Sequence, residues 1–154
     1  MNGRSRKISD PDFINALQEF DIIFMQETWI SENTSTNLNI QDYKSHHLFG
    51  NKSFNTRKGR YSGGLSIYYK NDLQDKITIV EQNQNGILWI RISKDLFPFN
   101  EDVYVCSVYV LPQSSTVLNQ IESDFFEQIE NDVEKYTSLG KNLCFRRSKC
   151  SNGY

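Results

Sequence analysis

The feature that most constrains the fold is a short apolar run at residues 21–26 that ends in polar residues. Four consecutive apolar side chains, from Ile22 to Met25, are followed directly by Gln26-Glu27-Thr28. A strand that is buried on both faces has a continuous apolar run instead of an alternating one. The run therefore predicts a buried strand, with Glu27 at its carboxyl end.

The other segments alternate between helix-like and strand-like patterns. Before the run, Ser9 is a candidate N-cap and Pro11 lies in the first turn of a helix that ends near Phe20. After the run we predict loops over 30–42 and 50–59, and strands over 43–49, 65–69, 76–82, 87–92 and 103–111. An amphipathic helix is predicted over 118–139, with Gly140 as the residue that ends it, and the start of another strand at 142–145. Asn85-Gly86 is a strong hairpin signal. This order predicts an α/β (α+β) fold with mixed, mostly antiparallel sheets and outer helices.

Composition excludes several classes of protein. The chain has 154 residues, of which 38% are hydrophobic, so it is too apolar to be disordered. No apolar run approaches the roughly 20 residues that cross a bilayer, and no secretory signal follows the basic N-terminus. The three cysteines (Cys106, Cys144, Cys150) lack zinc-site spacing, which fits reduced thiols. We expect an intracellular protein, nuclear or cytoplasmic, with no membrane partner and no small-molecule cofactor.

The small net charge of −2 hides an uneven distribution. Residues 43–71 contain six Lys or Arg and no Asp or Glu, whereas residues 122–134 contain acidic residues and no basic ones. A basic stretch of this kind is either a solvated surface or a surface that faces an anion.

Three positions are candidates for chemistry, each with a plainer alternative. Glu27 is either a ligand for Mg²⁺, which prefers carboxylate oxygens, or a solvent-facing residue at a strand end. Tyr109 either hydrogen-bonds a phosphate oxygen or packs within its strand. The pair Gly63-Gly64 allows a close backbone approach and, with Arg60 and Ser62 beside it, either holds a phosphate or simply begins a strand.

Three motifs carry a resemblance to a known family. Residues 21–29 are DIIFMQETW, residues 59–65 are GRYSGGL and residues 108–112 are VYVLP. Together and in this order, they resemble motifs of the endonuclease/exonuclease/phosphatase superfamily, over about residues 8–144. The likeness is greatest to the endonuclease domain of non-LTR (LINE-type) retrotransposons.

The resemblance implies a four-layered α/β sandwich, of which this chain holds a part, and hydrolysis of phosphodiester or phosphomonoester bonds with Mg²⁺ or Mn²⁺. It implies that Glu27 matches the metal-binding Glu and that Tyr109 matches the Tyr that contacts the scissile phosphate. It also implies DNA as the partner, with Lys58, Arg60 and Ser62 as nucleic-acid-binding residues.

The sequence also departs from the family pattern. Residues 145–148 are FRRS where the family has GDFN, and no His follows His47, so the family's SDH segment has no counterpart. We therefore expect residues 1–144 to be the N-terminal portion of an incomplete domain, residues 145–154 to be an aberrant, disordered basic tail, and the chain to be catalytically incompetent. The alternatives are a non-catalytic nucleic-acid-binding fragment that uses residues 43–71, and an abasic-site nuclease or phosphatase of the same superfamily.

Overall fold

The computed structural model describes residues 10–31, 39–52, 61–83, 86–110 and 125–148, and for residues 51, 52, 61, 62 and 146–148 it describes the backbone alone. The chain divides into two compact units, residues 1–75 and 76–154. The first unit contains α1 (Pro11–Leu17), β1 (Ile22–Gln26), β2 (Tyr43–Leu48), β3 (Asn51–Lys52), β4 (Tyr61–Ser62) and β5 (Leu65–Lys70). The second contains β6 (Ile77–Asn83), β7 (Ile87–Ile92), β8 (Val103–Val110), α2 (Phe125–Thr137) and β9 (Lys141–Ser148). Short 3₁₀ helices lie at Asn71–Lys76 and Lys94–Leu96.

Helix α1 begins one residue later than the sequence predicts. Its N-cap is Asp10 and not Ser9, and the Asp10 carboxylate accepts a hydrogen bond from the Asp12 amide at 3.1 Å. Proline at the first helical position fixes this start, because its φ suits the helix and it has no amide hydrogen to satisfy. The helix ends at Leu17, before the predicted Phe20.

The main sheet of the first unit is antiparallel, in the order β1-β5-β2. Ile23 and Tyr68 on one face of this sheet form a buried cluster with Ile40, against which the α1 residues Ile14 and Leu17 pack. Strand β1 is less buried than its apolar run predicts, since only Ile23 is fully buried. The reason is its place at the edge of the described sheet, where β5 is its only partner.

The second unit is built on a sheet in the order β6-β7-β8-β9, in which the hairpin pairing of β6 with β7 confirms the Asn-Gly prediction. The central strands β7 and β8 are almost fully buried. Helix α2 covers one face of them, where Trp89, Cys106, Val108 and Tyr136 share a core. Helix α2 also lies in the connection from β8 to β9, which pair in parallel, and parallel neighbours need a crossover connection of this kind.

The end of α2 and the strand after it differ from the sequence-based expectation. Gly140 does not have the left-handed conformation of a helix cap. Instead a Cβ on Gly140 would lie 2.3 Å from the Asp102 carbonyl oxygen, so the glycine permits a close approach of two backbones. Strand β9 continues through residues 145–148, past the predicted boundary at 144, because backbone pairing to β8 does not depend on side-chain identity. Residues 118–124 and 149–154 lie outside the described residues.

In the part of the chain that the structure describes, no helix is long and apolar enough to span a bilayer.

Candidate functional site

Glu27 lies where β1 ends and the chain turns sharply. Its φ is +56° and that of Trp29 is +53°, and this left-handed conformation costs a non-glycine residue roughly 1–2 kcal/mol. Hydrogen bonds from the next two amides hold the turn: Thr28 donates to the Gly64 carbonyl at 3.2 Å and Trp29 to the Gly63 carbonyl at 2.9 Å. Backbone strain that is held in place in this way is typical of functional sites.

The glycine pair opposite Glu27 is required for both conformation and space. Gly63 and Gly64 have φ values of +75° and +85°. A Cβ on Gly64 would lie 2.6 Å from Thr28 Oγ1 and 3.0 Å from the Gly50 amide nitrogen. The close backbone approach that the sequence predicted for these glycines is therefore made to Thr28, which is 3% exposed. A side chain on Gly64 would displace the residue that follows Glu27.

The Glu27 side chain is half-buried and supplies one carboxylate at this strand end. Within the described ranges, no three His, Cys, Asp or Glu side chains gather in a way that would hold a metal ion. Mg²⁺ commonly takes only one or two protein carboxylates and completes its shell with water and phosphate oxygens. The chemistry of Glu27 therefore fits one ligand of such an ion.

Tyr109 belongs to the second unit, near the end of β8, and it is 6% exposed. Its amide donates to the Gly86 carbonyl at 2.9 Å. Gly86 has a φ of +94°, and a Cβ there would lie 2.9 Å from the Tyr109 carbonyl oxygen. The Asn-Gly signal predicted the hairpin, but not that its glycine would fix the backbone of Tyr109. Each predicted catalytic residue thus lies beside at least one left-handed glycine in its own unit.

The predicted nucleic-acid-binding residues are only partly within the described structure. Lys58 and Arg60 lie outside it, and Ser62 is described by its backbone, which pairs with Asn51 in the β3–β4 ladder. Ser62 belongs to the same unit as Glu27. The DNA-binding role of these three residues stays a prediction.

The fold brings acidic residues to part of the basic stretch. Lys70 forms an ion pair with Asp21 at 2.6 Å, and its hydrogen bond to Asp21 is the main cause that raises its pKa. Lys44, in contrast, is exposed on β2. A stretch that is free of acidic residues in sequence is therefore partly neutralised in three dimensions.

The adjacent histidines have different partners on β5, as expected for neighbouring residues of a strand. His46 is registered with Ile67 and His47 with Ser66, and His47 Nδ1 lies 2.8 Å from Ser66 Oγ. Burial, followed by the nearby His46, lowers the pKa of His47. Burial therefore favours the neutral form of His47, which is the form that adds no positive charge for a phosphate.

A buried polar cluster on α2 is a feature that the sequence analysis missed. Asp132 is 6% exposed and accepts a hydrogen bond from Trp89 Nε1 at 3.1 Å. Burial, followed by the nearby Glu81, raises the pKa of Asp132. Lys135 and Tyr136 both donate to Glu81 Oε2 at 2.9 Å, and the Lys135 contact is the main cause that lowers the pKa of Glu81. The helical spacing that places Asp132 on the same face as Tyr136 is the signal that predicts this position.

Comparisons with known proteins bear on the family and the fold of this chain. The sequence profile described as the Endonuclease/Exonuclease/phosphatase family matches residues 3–143. The chain is also similar to the solved structure of the human Nocturnin catalytic domain with bound sulfate anion, at a TM-score of 0.50 and 12% identity. That alignment covers 87% of this chain and 52% of the Nocturnin chain, so this chain spans about half of that structure. At this identity the likeness shows the fold alone, and it confirms the predicted α/β sandwich. A search of curated proteins found no match.

Proposed function

We propose, because this chain belongs to the endonuclease/exonuclease/phosphatase family, that it supplies part of a metal-dependent phosphodiesterase site for DNA. The observation that carries the proposal is the turn at Glu27. There, two left-handed residues flank a buried Thr28 and a glycine pair holds the turn by two backbone hydrogen bonds. Such an arrangement fixes the backbone position from which the Glu27 side chain extends.

In this proposal each candidate residue has one role. Glu27 is a ligand of Mg²⁺ or Mn²⁺, an ion that would neutralise charge on the phosphate. The Tyr109 hydroxyl donates a hydrogen bond to a phosphate oxygen, and its anchored backbone limits its movement. Lys58, Arg60 and Ser62 bind the DNA backbone, where such contacts set orientation and not sequence preference.

Within the family, we propose the LINE-type retrotransposon endonucleases as the group to which this chain belongs, on the likeness of the region from Trp29 to Gly64. An abasic-site nuclease or phosphatase of the same superfamily is the alternative, because these enzymes share the same motifs. A nuclear or cytoplasmic location agrees with free thiols at Cys106 and Cys144.

We also propose that this 154-residue polypeptide, assayed alone, does not cleave DNA. The residues at 145–148 are FRRS, and an arginine guanidinium stays protonated and cannot replace a carboxylate that activates water. General acid–base assistance alone is worth roughly 10²- to 10⁴-fold in rate. Incubation with supercoiled plasmid and Mg²⁺ or Mn²⁺ should give no nicked product above the level of the Glu27→Ala variant. Nicking that Glu27→Ala abolishes would show that the polypeptide is an active nuclease.

The basic stretch favours a second candidate function, DNA binding without cleavage. Residues 43–71 carry no acidic residue, and Lys44 on β2 is exposed. Binding of this kind weakens as the salt concentration rises. The logarithm of the association constant falls with the logarithm of the salt concentration, with a slope of about −0.9 for each phosphate contacted. Fluorescence anisotropy with a labelled duplex across a salt series tests it. The Lys58→Ala/Arg60→Ala variant should bind more weakly with a shallower slope, whereas Glu101→Gln, an exposed change in the other unit, should leave the slope unchanged.

A further inference from the structure

Two of the cysteines are direct neighbours across adjacent strands. Cys106 on β8 is registered directly with Cys144 on β9 in the parallel ladder. Both are free thiols. Neighbouring strands lie about 4.8 Å apart, and disulfides join residues whose Cα atoms are roughly 4.4–6.8 Å apart. The backbone spacing of a strand pair therefore falls within the range of a disulfide.

The two thiols differ in their access to solvent. Cys106 is 0% exposed and lies in the core between the sheet and α2, beside Trp89 and Val108. Cys144 is exposed, because β9 is the edge strand of the described sheet. Burial, followed by the neighbouring Cys144, raises the pKa of Cys106. An oxidant from solvent therefore meets Cys144 first, while Cys106 reacts only with a group delivered beside it.

We propose that Cys144 and Cys106 form a peroxide-sensitive dithiol site, in which Cys144 is the attacking thiol and Cys106 the resolving thiol. The Cys144 thiolate attacks hydrogen peroxide, so that the O–O bond breaks, the cysteine becomes a sulfenic acid, and the departing hydroxide takes up the proton that the Cys144 thiol had released, which gives one water. The Cys106 sulfur then attacks the Cys144 sulfur. The S–O bond breaks, the hydroxide takes the Cys106 proton, and a second water leaves with formation of the disulfide. In total, two thiols lose two hydrogen atoms and one peroxide becomes two waters.

The site does not depend on the proposed function. Its product would join β8 to β9 covalently, three residues before Tyr109 in the chain. A thiol reductant such as glutathione would reverse the reaction by exchange at the exposed Cys144 sulfur.

The test uses the full 154-residue chain, reduced and then treated with hydrogen peroxide. Trypsin places the three cysteines in separate peptides, residues 95–135, 142–146 and 150–154, so each possible disulfide has its own mass. We expect free thiols to fall from three to one, a link between peptides 95–135 and 142–146, and loss of that link on reduction. Because a disulfide restricts the unfolded chain, the oxidised protein should also melt at a higher temperature.

Two variants provide the controls. Cys144→Ser changes an exposed residue, so it should melt like the reduced parent and show neither the link nor the rise in melting temperature. Cys150→Ser should behave like the parent in both measurements. A link between peptides 142–146 and 150–154 as the main product would overturn the proposal. Oxidation of Cys144 to sulfinic acid while Cys106 stays a free thiol would also overturn it.

Discussion

Gly64→Ala is the substitution that most sharply tests the construction of the turn at Glu27. The new Cβ would lie 2.6 Å from Thr28 Oγ1, 3.0 Å from the Gly50 amide nitrogen and 3.2 Å from the Leu48 carbonyl oxygen. The backbone φ of +85° adds a cost of roughly 1–2 kcal/mol, and overpacking adds about 1–3 kcal/mol. We expect a loss of about 2–5 kcal/mol in the free energy of unfolding, which is a fall of roughly 5–20 °C in melting temperature for a chain of this size.

A double-mutant cycle with Thr28→Ala isolates the clash. Thr28→Ala removes the Oγ1 atom but leaves the φ of residue 64 and the nearby backbone atoms unchanged, so Gly64→Ala should cost about 1 kcal/mol less in that background. Urea unfolding followed by circular dichroism measures all four proteins. Equal costs of Gly64→Ala with and without Thr28→Ala, or a neutral Gly64→Ala, would refute the close approach of Gly64 to Thr28.

Three further predictions concern the second unit. Gly140→Ala should cost about 3 kcal/mol by urea unfolding, since its Cβ would lie 2.3 Å from a backbone oxygen of Asp102; a neutral effect would contradict this contact. Burial raises the pKa of Asp132 in the folded protein. The contribution of this carboxyl group to the free energy of unfolding is therefore greatest below the pKa of Asp in the unfolded chain, about 3.9, and declines as the pH rises through the pKa of the folded state. Asp132→Asn should therefore raise the melting temperature at pH 7 and have little effect at pH 3, whereas a loss at pH 7 would show that the charged form is stabilising. Lys135→Met should raise the pKa of Glu81 in an NMR titration, because Lys135 is the main cause that lowers it, and an unchanged titration would show that the contact is absent in solution.

Most of the strands were predictable from the sequence because they have a local signal. Strand β3 (Asn51–Lys52) is an exception: it lies in the segment 50–59 that was predicted to be a loop, and it pairs with β4 through its backbone, which no side-chain pattern reveals. The apolar runs and the Asn-Gly pair gave β1 and the β6–β7 hairpin to within a residue or two, and the aromatic and β-branched run at 103–111 gave β8. Pairings between distant segments were not predictable in this way. The parallel register that places Cys106 beside Cys144 depends on where β9 lies after α2, and no local pattern specifies that position.

The candidate site shows the same division. The residues of the candidate site were predicted from sequence motifs, and Glu27 lies directly after β1, as predicted. The positive φ of Glu27 and Trp29 was not predictable, because neither residue type favours the left-handed region. The role of Gly64 was visible only as a close approach without a partner, since Thr28 lies far from it in sequence.

The most direct test of the central claim, that Glu27 is a metal ligand at the end of β1, is the broadening of amide NMR signals by Mn²⁺. We predict that low Mn²⁺ concentrations broaden the amides of Thr28, Gly63 and Gly64, which surround Glu27 in the structure. The broadening should be lost in Glu27→Gln and kept in Glu19→Gln, a matched change at an exposed residue of the same unit. Broadening that is the same in the Glu27→Gln variant, or that is absent from these amides in the parent, would contradict the assignment of Glu27.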